Sequence, residues 1–458
     1  MNVSSVPRNL RAARARLPAA LAGLPERIDG YPAALSATFV FLFLCLVYLA
    51  TATYTWGVSP DPVAAGVPAW QLVTHGNLTL DAFEGRLLWF VDNGERVVSN
   101  RTPGVIFFAV PFYWLVGTDP EVPSLVPATL AAVMAAAGAM TLLHLVFRRL
   151  VRPSTAMAAA LIAGLATSTW SVSADALWAH GPNQLWLAAA MLALAREHYV
   201  RSGIGFGLAV FTRPHLAVIS AVAGVWAGIS ARSWRPVALI GVPALLGLCA
   251  LLYYNVAIFG EVSLAGGYDS YVTSNLAGRP WWDYGEGIAG TLVSPDRGFL
   301  VMSPFLLALL PGLRSAWRVA PPWVRSCAVG GLVYMLVQLR INYFSGGNNF
   351  FSYRLSIELL MMAAPLLLLA YREWTARTSS RRRIFSALVM LSIVIQGLGA
   401  VHNTVDYVER SAWANVKVWH AMQIAGPAMV AVMVLVAVGV WTLAALVAES
   451  KAGAAGGS

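Results

Sequence analysis

AALSATFVFLFLCLVYLATATYTWGVSPDP, residues 33–62, carries no charge until its end, where an aspartate stands between two prolines. Residues 33–55 are long and apolar enough to cross the roughly 30 Å hydrocarbon core of a bilayer as a helix. Trp56 stands directly at its outer end. Asp61 then opens a polar stretch. The whole chain repeats this pattern: its 458 residues are 58% hydrophobic and only 11% charged. Soluble domains carry roughly 25% charged residues. Mean hydropathy is +0.66, which excludes a soluble enzyme and leaves an all-α polytopic membrane protein.

Further apolar stretches fall at 124–147, 154–172, 182–196, 203–212, 213–230, 237–259, 299–313, 324–340, 354–371, 384–401 and 421–447. With 33–55 they predict about 12 spans, within a range of 11–13. The stretch 203–230 decides the parity, because it could be one long helix or two short ones broken at Arg213-Pro214. Basic residues favour cytoplasmic loops. With two short spans, 21 of the 31 Lys and Arg fall inside, including Arg148, Arg149 and Arg152 and the Arg381–Arg383 cluster, while 16 of the 21 acids fall outside. One long span would export that cluster and is rejected. The formal net charge of +10 is therefore a topology signal rather than a nucleic-acid footprint.

The domain expectation follows from this division. Residues 1–32 form a basic cytoplasmic N-terminus, and 33–259 an N-terminal transmembrane module with a first outer loop at 56–123. Residues 260–298 form a second outer loop, 299–447 the C-terminal membrane helices, and 448–458 a cytoplasmic tail. The long basic region before residue 33 favours a retained anchor over a cleaved signal. Residues 102–117, apolar but interrupted by Pro103, Gly104 and Pro111, are expected to lie in the interface or dip in and return. Cys45, Cys249 and Cys327 are too scattered for a disulfide framework or a metal site.

Long polar loops on one face concentrate the chemistry. Asp61, expected at the rigid outer end of the first span and partly desolvated, suits a base of raised pKa; it also suits a Pro-flanked turn. Residues 67–80 have helical apolar spacing and are expected to lie on the membrane. Asp81 and Glu84 are possible second acids. VSNRTPG (98–104) places Arg101 at an interface, as a phosphate clamp or a snorkelling anchor. DALWAHGP (175–182) supplies Trp178 and His180, and FTRP (211–214) supplies Arg213. GGYD (266–269), RPWWDY (279–284) and SPDRG (294–298) set Tyr268, Asp269, Trp282 and Arg297 among aromatics. These form a sugar-binding surface or an interfacial belt. Arg354 and Glu358 stand one helical turn apart and can pair. His402 and Asp406 have metal-ligand spacing but no third ligand, so no divalent metal is indicated.

The order of these motifs resembles the GT-C superfamily of polytopic membrane glycosyltransferases, across most of the chain. The matching residues are Asp61 just after the first span, the Ser99–Gly104 segment with one extra residue, Trp-x-His-Gly-Pro at Trp178, Arg213-Pro214, Ser294–Gly298, and Gly346-Gly347 with Arg354. The late motif departs from the family's Gly-Pro-Arg-Tyr, reading NNFFSYR, and Pro62 stands where a second carboxylate is often found.

The resemblance implies a fold of many membrane helices and an active site on the extracytoplasmic side of the plasma membrane. It implies a polyprenyl-phosphate sugar donor, decaprenyl in an actinobacterial source, and a glycan or glycolipid acceptor of the envelope. Arabinofuranose and mannose are the first sugars it suggests. Asp61 becomes the base of an inverting transfer; Arg101, Arg213, Arg297 and Arg354 become donor phosphate ligands; and His180, Trp178, Tyr268, Asp269 and Trp282 become sugar or acceptor contacts. No cofactor beyond the lipid-linked sugar is implied. A lipid or polysaccharide flippase is the competing reading, but the chain lacks the internal repeat that transporters tend to show.

Overall fold

The computed structural model describes residues 24–448 except 57, 58, 88, 348, 403–411 and 415, and leaves out the side chains of 441 and 443–448. The basic N-terminus before residue 24, Asp406 and the tail after Ala448 lie outside the described residues. The chain is helical almost throughout. The first span is α2 (Ala33–Thr51), after a short α1 (Leu24–Gly30). The first outer loop folds as α3 (Pro60–His75), the hairpin β1 (Phe90–Asp92) and β2 (Val97–Ser99), and α4 (Pro103–Val116). Then come α5 (Val126–Phe147), α6 (Pro153–Leu165), α7 (His180–Leu194), α8 (Tyr199–Thr212), α9 (Ala217–Ala231) and α10 (Arg235–Phe259).

The second loop carries α11 (Asp269–Gly278) and α12 (Asp283–Val293). The rest is α13 (Phe299–Met302), α14 (Leu313–Val319), α15 (Pro322–Ile341), α16 (Ile357–Glu373), α17 (Ser379–Val401) and α18 (Lys417–Ala448). Among the described residues, seven helical stretches are long and apolar enough to cross a membrane. The two expected short spans either side of Arg213-Pro214 are separate helices, with Arg213 extended between them at φ −150°, ψ 110°. Pro214 cannot donate the backbone bond that would continue α8, so the break is built into the sequence.

Three expectations change. Residues 299–313 do not form one span: single turns at Phe299–Met302, Pro304–Ala308 and Leu310–Gly312 replace it, because Pro304 and Pro311 interrupt the hydrogen-bond ladder. The helix expected over 67–80 is instead α3, and it does not lie exposed on a membrane. Its residues Val63, Ala64, Val67 and Trp70 are buried against α4 and the start of α5. Asp61 belongs to the first turn of α3 rather than to the end of α2, which stops at Thr51 where Ala52 turns extended.

Small residues set how closely the helices approach. A Cβ on Gly247 of α10 would come within 2.1 Å of the Gly207 carbonyl of α8, and one on Gly104 within 2.4 Å of Thr212. Such backbone contact is the usual route to tight helix packing in membranes. It seats the start of α4 directly on the Thr212–Arg213 corner, where the Thr102 hydroxyl also donates to the Thr212 carbonyl at 2.6 Å. The first outer loop meets the end of α10 and the second loop: Asn93 donates to the Ile258 carbonyl of α10 at 2.5 Å, and the Trp89 and Tyr268 rings stand 5.7 Å apart.

Candidate active site

At that end the structure gathers residues from six separate motifs. Asp61 is the second residue of α3, with Pro60 at the first position, where a missing N–H costs nothing. A carboxylate in the first helical turn is favoured by the helix dipole. Its Oδ1 lies 3.1 Å from Arg101 Nη1, and its Oδ2 accepts from Arg354 Nη1 at 2.5 Å. The three side chains are 15%, 13% and 19% exposed, so they are sheltered yet reachable.

Arg101 is held on every side. Its Nε and Nη2 donate to Asn100 Oδ1 at 3.1 and 3.0 Å, and its guanidinium lies over the rings of Tyr268 and Trp89, at 4.2 and 5.1 Å from their centroids. The preceding serine locks the turn: Ser99 Oγ donates to the Ala64 carbonyl of α3 and accepts from Arg101 N. Thus VSNRTPG fastens Arg101 to the helix that carries Asp61. Arg354 reaches the same carboxylate from the late loop, across the faces of Trp178 and Phe350 at 4.9 and 5.1 Å. Gly346 and Gly347, at φ 69° and 92°, carry the backbone past this side chain, and a Cβ on Gly346 would press on Arg354 Nε at 3.2 Å. The paired glycines therefore make room for the arginine and adopt a conformation other residues avoid.

Charge follows geometry. Burial works to raise the Asp61 pKa, but Arg101 and Arg354 outweigh it and hold the carboxyl below its ordinary value. The expectation of a raised pKa is corrected: it allowed for desolvation and not for two guanidinium groups. Burial pulls Arg101 down to about 10; Asp61 opposes this, while Arg354 and Arg213 reinforce it. Positive charge is crowded here.

Beside this cluster lies a second one. Glu358, fully buried in the first turn of α16, accepts from Arg213 Nη1 at 2.9 Å and from the Tyr334 hydroxyl at 3.1 Å; His180 Nδ1 lies at 2.8 Å. Glu358 does not pair with Arg354, as the one-turn spacing suggested, because Arg354 stands in the loop before α16 and turns to Asp61. His180 and Arg213 both interact electrostatically with Asp61, which joins the two clusters.

The remaining expected site residues are placed differently. Arg297 is 3% exposed and spends its guanidinium on the carbonyls of Phe350, Ser352 and Gly347 at 2.7, 3.0 and 3.0 Å. It holds the late loop in place, and the phosphate role expected of it would require those bonds to break. Asp81 accepts from Val97 N at 2.7 Å and is exposed, as is Glu84; the second carboxylate of the site is Glu358. Tyr268 lies under Arg101, whereas Asp269 accepts from Ser263 Oγ at 2.6 Å and Trp282 is 80% exposed. Sequence reasoning did not single out Tyr334, Trp89, Asn100 or Phe350. Asn100 and Phe350 adjoin quoted motifs, but nothing in the sequence marks Tyr334 or Trp89.

No family model matches this chain, and no curated protein matches its sequence. Its structure resembles that of ArnT from Cupriavidus metallidurans bound to undecaprenyl phosphate, with a TM-score of 0.51, 15% identity, and 90% of this chain and 76% of that chain covered. It also matches the archaeal oligosaccharyltransferase AglB from Archaeoglobus fulgidus in complex with an inhibitory peptide and a dolichol-phosphate, with a TM-score of 0.46 and 11% identity. This chain covers 56% of AglB. On the first of these likenesses, and on an architecture of many apolar helices, the chain has the fold seen in ArnT.

Proposed function

We propose that the protein transfers a sugar from a polyprenyl-phosphate donor to a glycan or glycolipid acceptor of the cell envelope, at the extracytoplasmic face of the plasma membrane, with inversion at the anomeric carbon. The observation that carries this reading is Asp61 sheltered between Arg101 and Arg354, with Arg213 and Glu358 alongside. Three guanidinium groups against two carboxylates leave one uncompensated positive charge. A sheltered excess of charge is costly unless a partner completes it. A phosphodiester, which carries one negative charge, completes it.

Asp61 accepts the proton of the acceptor hydroxyl as its oxygen forms a bond to the anomeric carbon. The bond from that carbon to the phosphate oxygen breaks, and its electron pair leaves on the lipid phosphate. The phosphate gains one negative charge as Asp61 loses one, so the cluster stays balanced through the step. No general acid is required, because a phosphate is a good leaving group, unlike the alkoxide that glycosidases must protonate. The arginines stabilise the charge that develops on it. Donor binding also draws Arg101 and Arg354 toward the phosphate, which relieves Asp61 of the contacts that weaken it as a base.

Decaprenyl-phosphoryl mannose and arabinofuranose are the first donors to test. Proteoliposomes holding the full chain and a labelled donor should yield a glycosylated lipid or glycan. Movement of intact donor between leaflets without product would instead make the protein a flippase.

A further inference from the structure

Glu358 is a carboxylate with no exposed surface, reached by groups from three other parts of the chain: His180 at the start of α7, Arg213 in the α8–α9 corner and Tyr334 in α15. A buried carboxylate must be paired and hydrogen-bonded to be tolerated. Arg213 alone could meet that need with a two-pronged contact. It does not: only Nη1 is engaged, lying 2.9 Å from Glu358, 3.3 Å from the Tyr334 hydroxyl and 3.1 Å from His180 Nδ1, and Nε and Nη2 have no partner among the described residues.

His180 is held in the same manner. Its Nδ1 lies 2.8 Å from Glu358 Oε1 and 3.1 Å from Arg213 Nη1; because a carboxylate only accepts, the proton is assigned to Nδ1 and the neutral ring keeps its lone pair on Nε2, which has no partner among the described residues. A carboxylate behind one ring nitrogen fixes both the tautomer and the orientation of the other. Tyr334 is itself pinned by His215, whose ring stacks on it at 5.4 Å and 15°. The arrangement therefore spends one donor from each of two side chains on Glu358 and leaves their other ends unspent, within electrostatic range of Asp61.

We propose that Glu358 is a positioning residue for transfer: it holds His180 so that Nε2 receives a hydroxyl of the acceptor or sugar, and Arg213 so that its unspent donors meet the donor phosphate. This rests on the glycosyl transfer proposed at Asp61. The test uses the full chain in proteoliposomes with labelled decaprenyl-phosphoryl mannose and arabinofuranose, reading product and released decaprenyl phosphate. Outer-support groups of this kind are worth about 10–100-fold. Glu358→Gln should lower kcat by about that factor while leaving the thermal midpoint within a few degrees.

The decisive readout is a cycle with His180→Gln. If Glu358 works through His180 and Arg213, the loss in the double variant is smaller than the product of the two single losses, because the His180 arm of the Glu358 effect is already gone; independent structural losses would multiply instead. Multiplied losses, or a Glu358→Gln rate within twofold of wild type, overturn the proposal. Glu358→Asp, which keeps the charge, carries the same cycle if Glu358→Gln does not assemble. Wild-type protein that transfers from neither donor overturns the function proposed above, whereas active wild type with an unaffected Glu358 variant overturns only this inference.

Discussion

Arg297 and Arg354 both stack on the ring of Phe350, at 3.7 and 5.1 Å, yet they are opposite kinds of arginine. Arg297 is 3% exposed and fixed on three backbone carbonyls, with Asp296 beside it at 3.4 Å. Lys417 adds a second buried cation, donating to the Phe350 carbonyl at 2.7 Å and lying 3.3 Å from Asp296. The side chain of Arg354 is 19% exposed, and among the described residues its guanidinium hydrogen-bonds to one group, the Asp61 carboxylate. A cation whose donors are spent on backbone builds a loop. One whose donors are partly unspent, beside a carboxylate it could release, is available to an anion.

The comparison can be broken by substitutions. Asp61→Asn should abolish transfer, by about 10²–10⁴-fold if it is the base, with normal membrane insertion; undiminished product formation would remove Asp61 from the mechanism. Arg297→Ala should act on the fold, because it leaves the Ser352 and Gly347 carbonyls without this donor in the interior, while Asp296 and the Phe350 carbonyl keep Lys417. Leaving buried polar groups unsatisfied costs about 1–3 kcal/mol each, and the expected result is a lowered melting temperature and faster proteolysis. An Arg297→Ala protein that is stable but fails to bind donor would reverse the two roles. Arg354→Lys should leave the thermal midpoint nearly unchanged and raise the donor KM by about 10–100-fold, since an ammonium cannot replace the planar fork. Smaller still is Gly347→Ala, where φ 92° imposes a strain of about 1–3 kcal/mol; a lowered melting temperature with donor KM raised in parallel would tie the loop to Arg354.

The pH response sharpens the same contrast. The Asp61 pKa in the fold lies below its ordinary value of 3.8. Its pairing therefore stabilises the protein fully above that value, and the contribution is lost as pH falls through the lower folded pKa. The melting temperature should drop below about pH 4, and kcat/KM for the donor should show no acid limb from Asp61 between about pH 5 and 8. In Asp61→Asn the acid loss of stability should shrink. An acid limb near neutrality would mean that the free carboxyl is not clamped as described.

Much of this was legible in the chain. Apolar length pointed to the membrane class, the placement of basic residues decided for two helices either side of Arg213-Pro214, and the Gly346-Gly347 pair was marked with Arg354 as a motif whose positive φ angles appear only in the structure. Asp61 and its arginines were each visible as ionisable groups near apolar stretches, where such groups are expensive and therefore informative. Their pairing was not. Spacing along one helix suggested Arg354 with Glu358, because local rules see only neighbours three or four residues apart. In the structure each finds its partner in a distant segment: Arg354 meets Asp61 across 293 positions, and Glu358 meets His180 across 178.

The sequence by itself determined what kind of solvent this protein lives in, where most of its long apolar helices run and which residue types stand ready for anion chemistry, because hydrophobicity and charge cost are properties of each stretch alone. Only the tertiary structure decided which arginine is structural and which is open, and which carboxylate faces which cation. Those depend on burial and on contacts between segments hundreds of residues apart, and long-range packing is where a raised pKa became a lowered one.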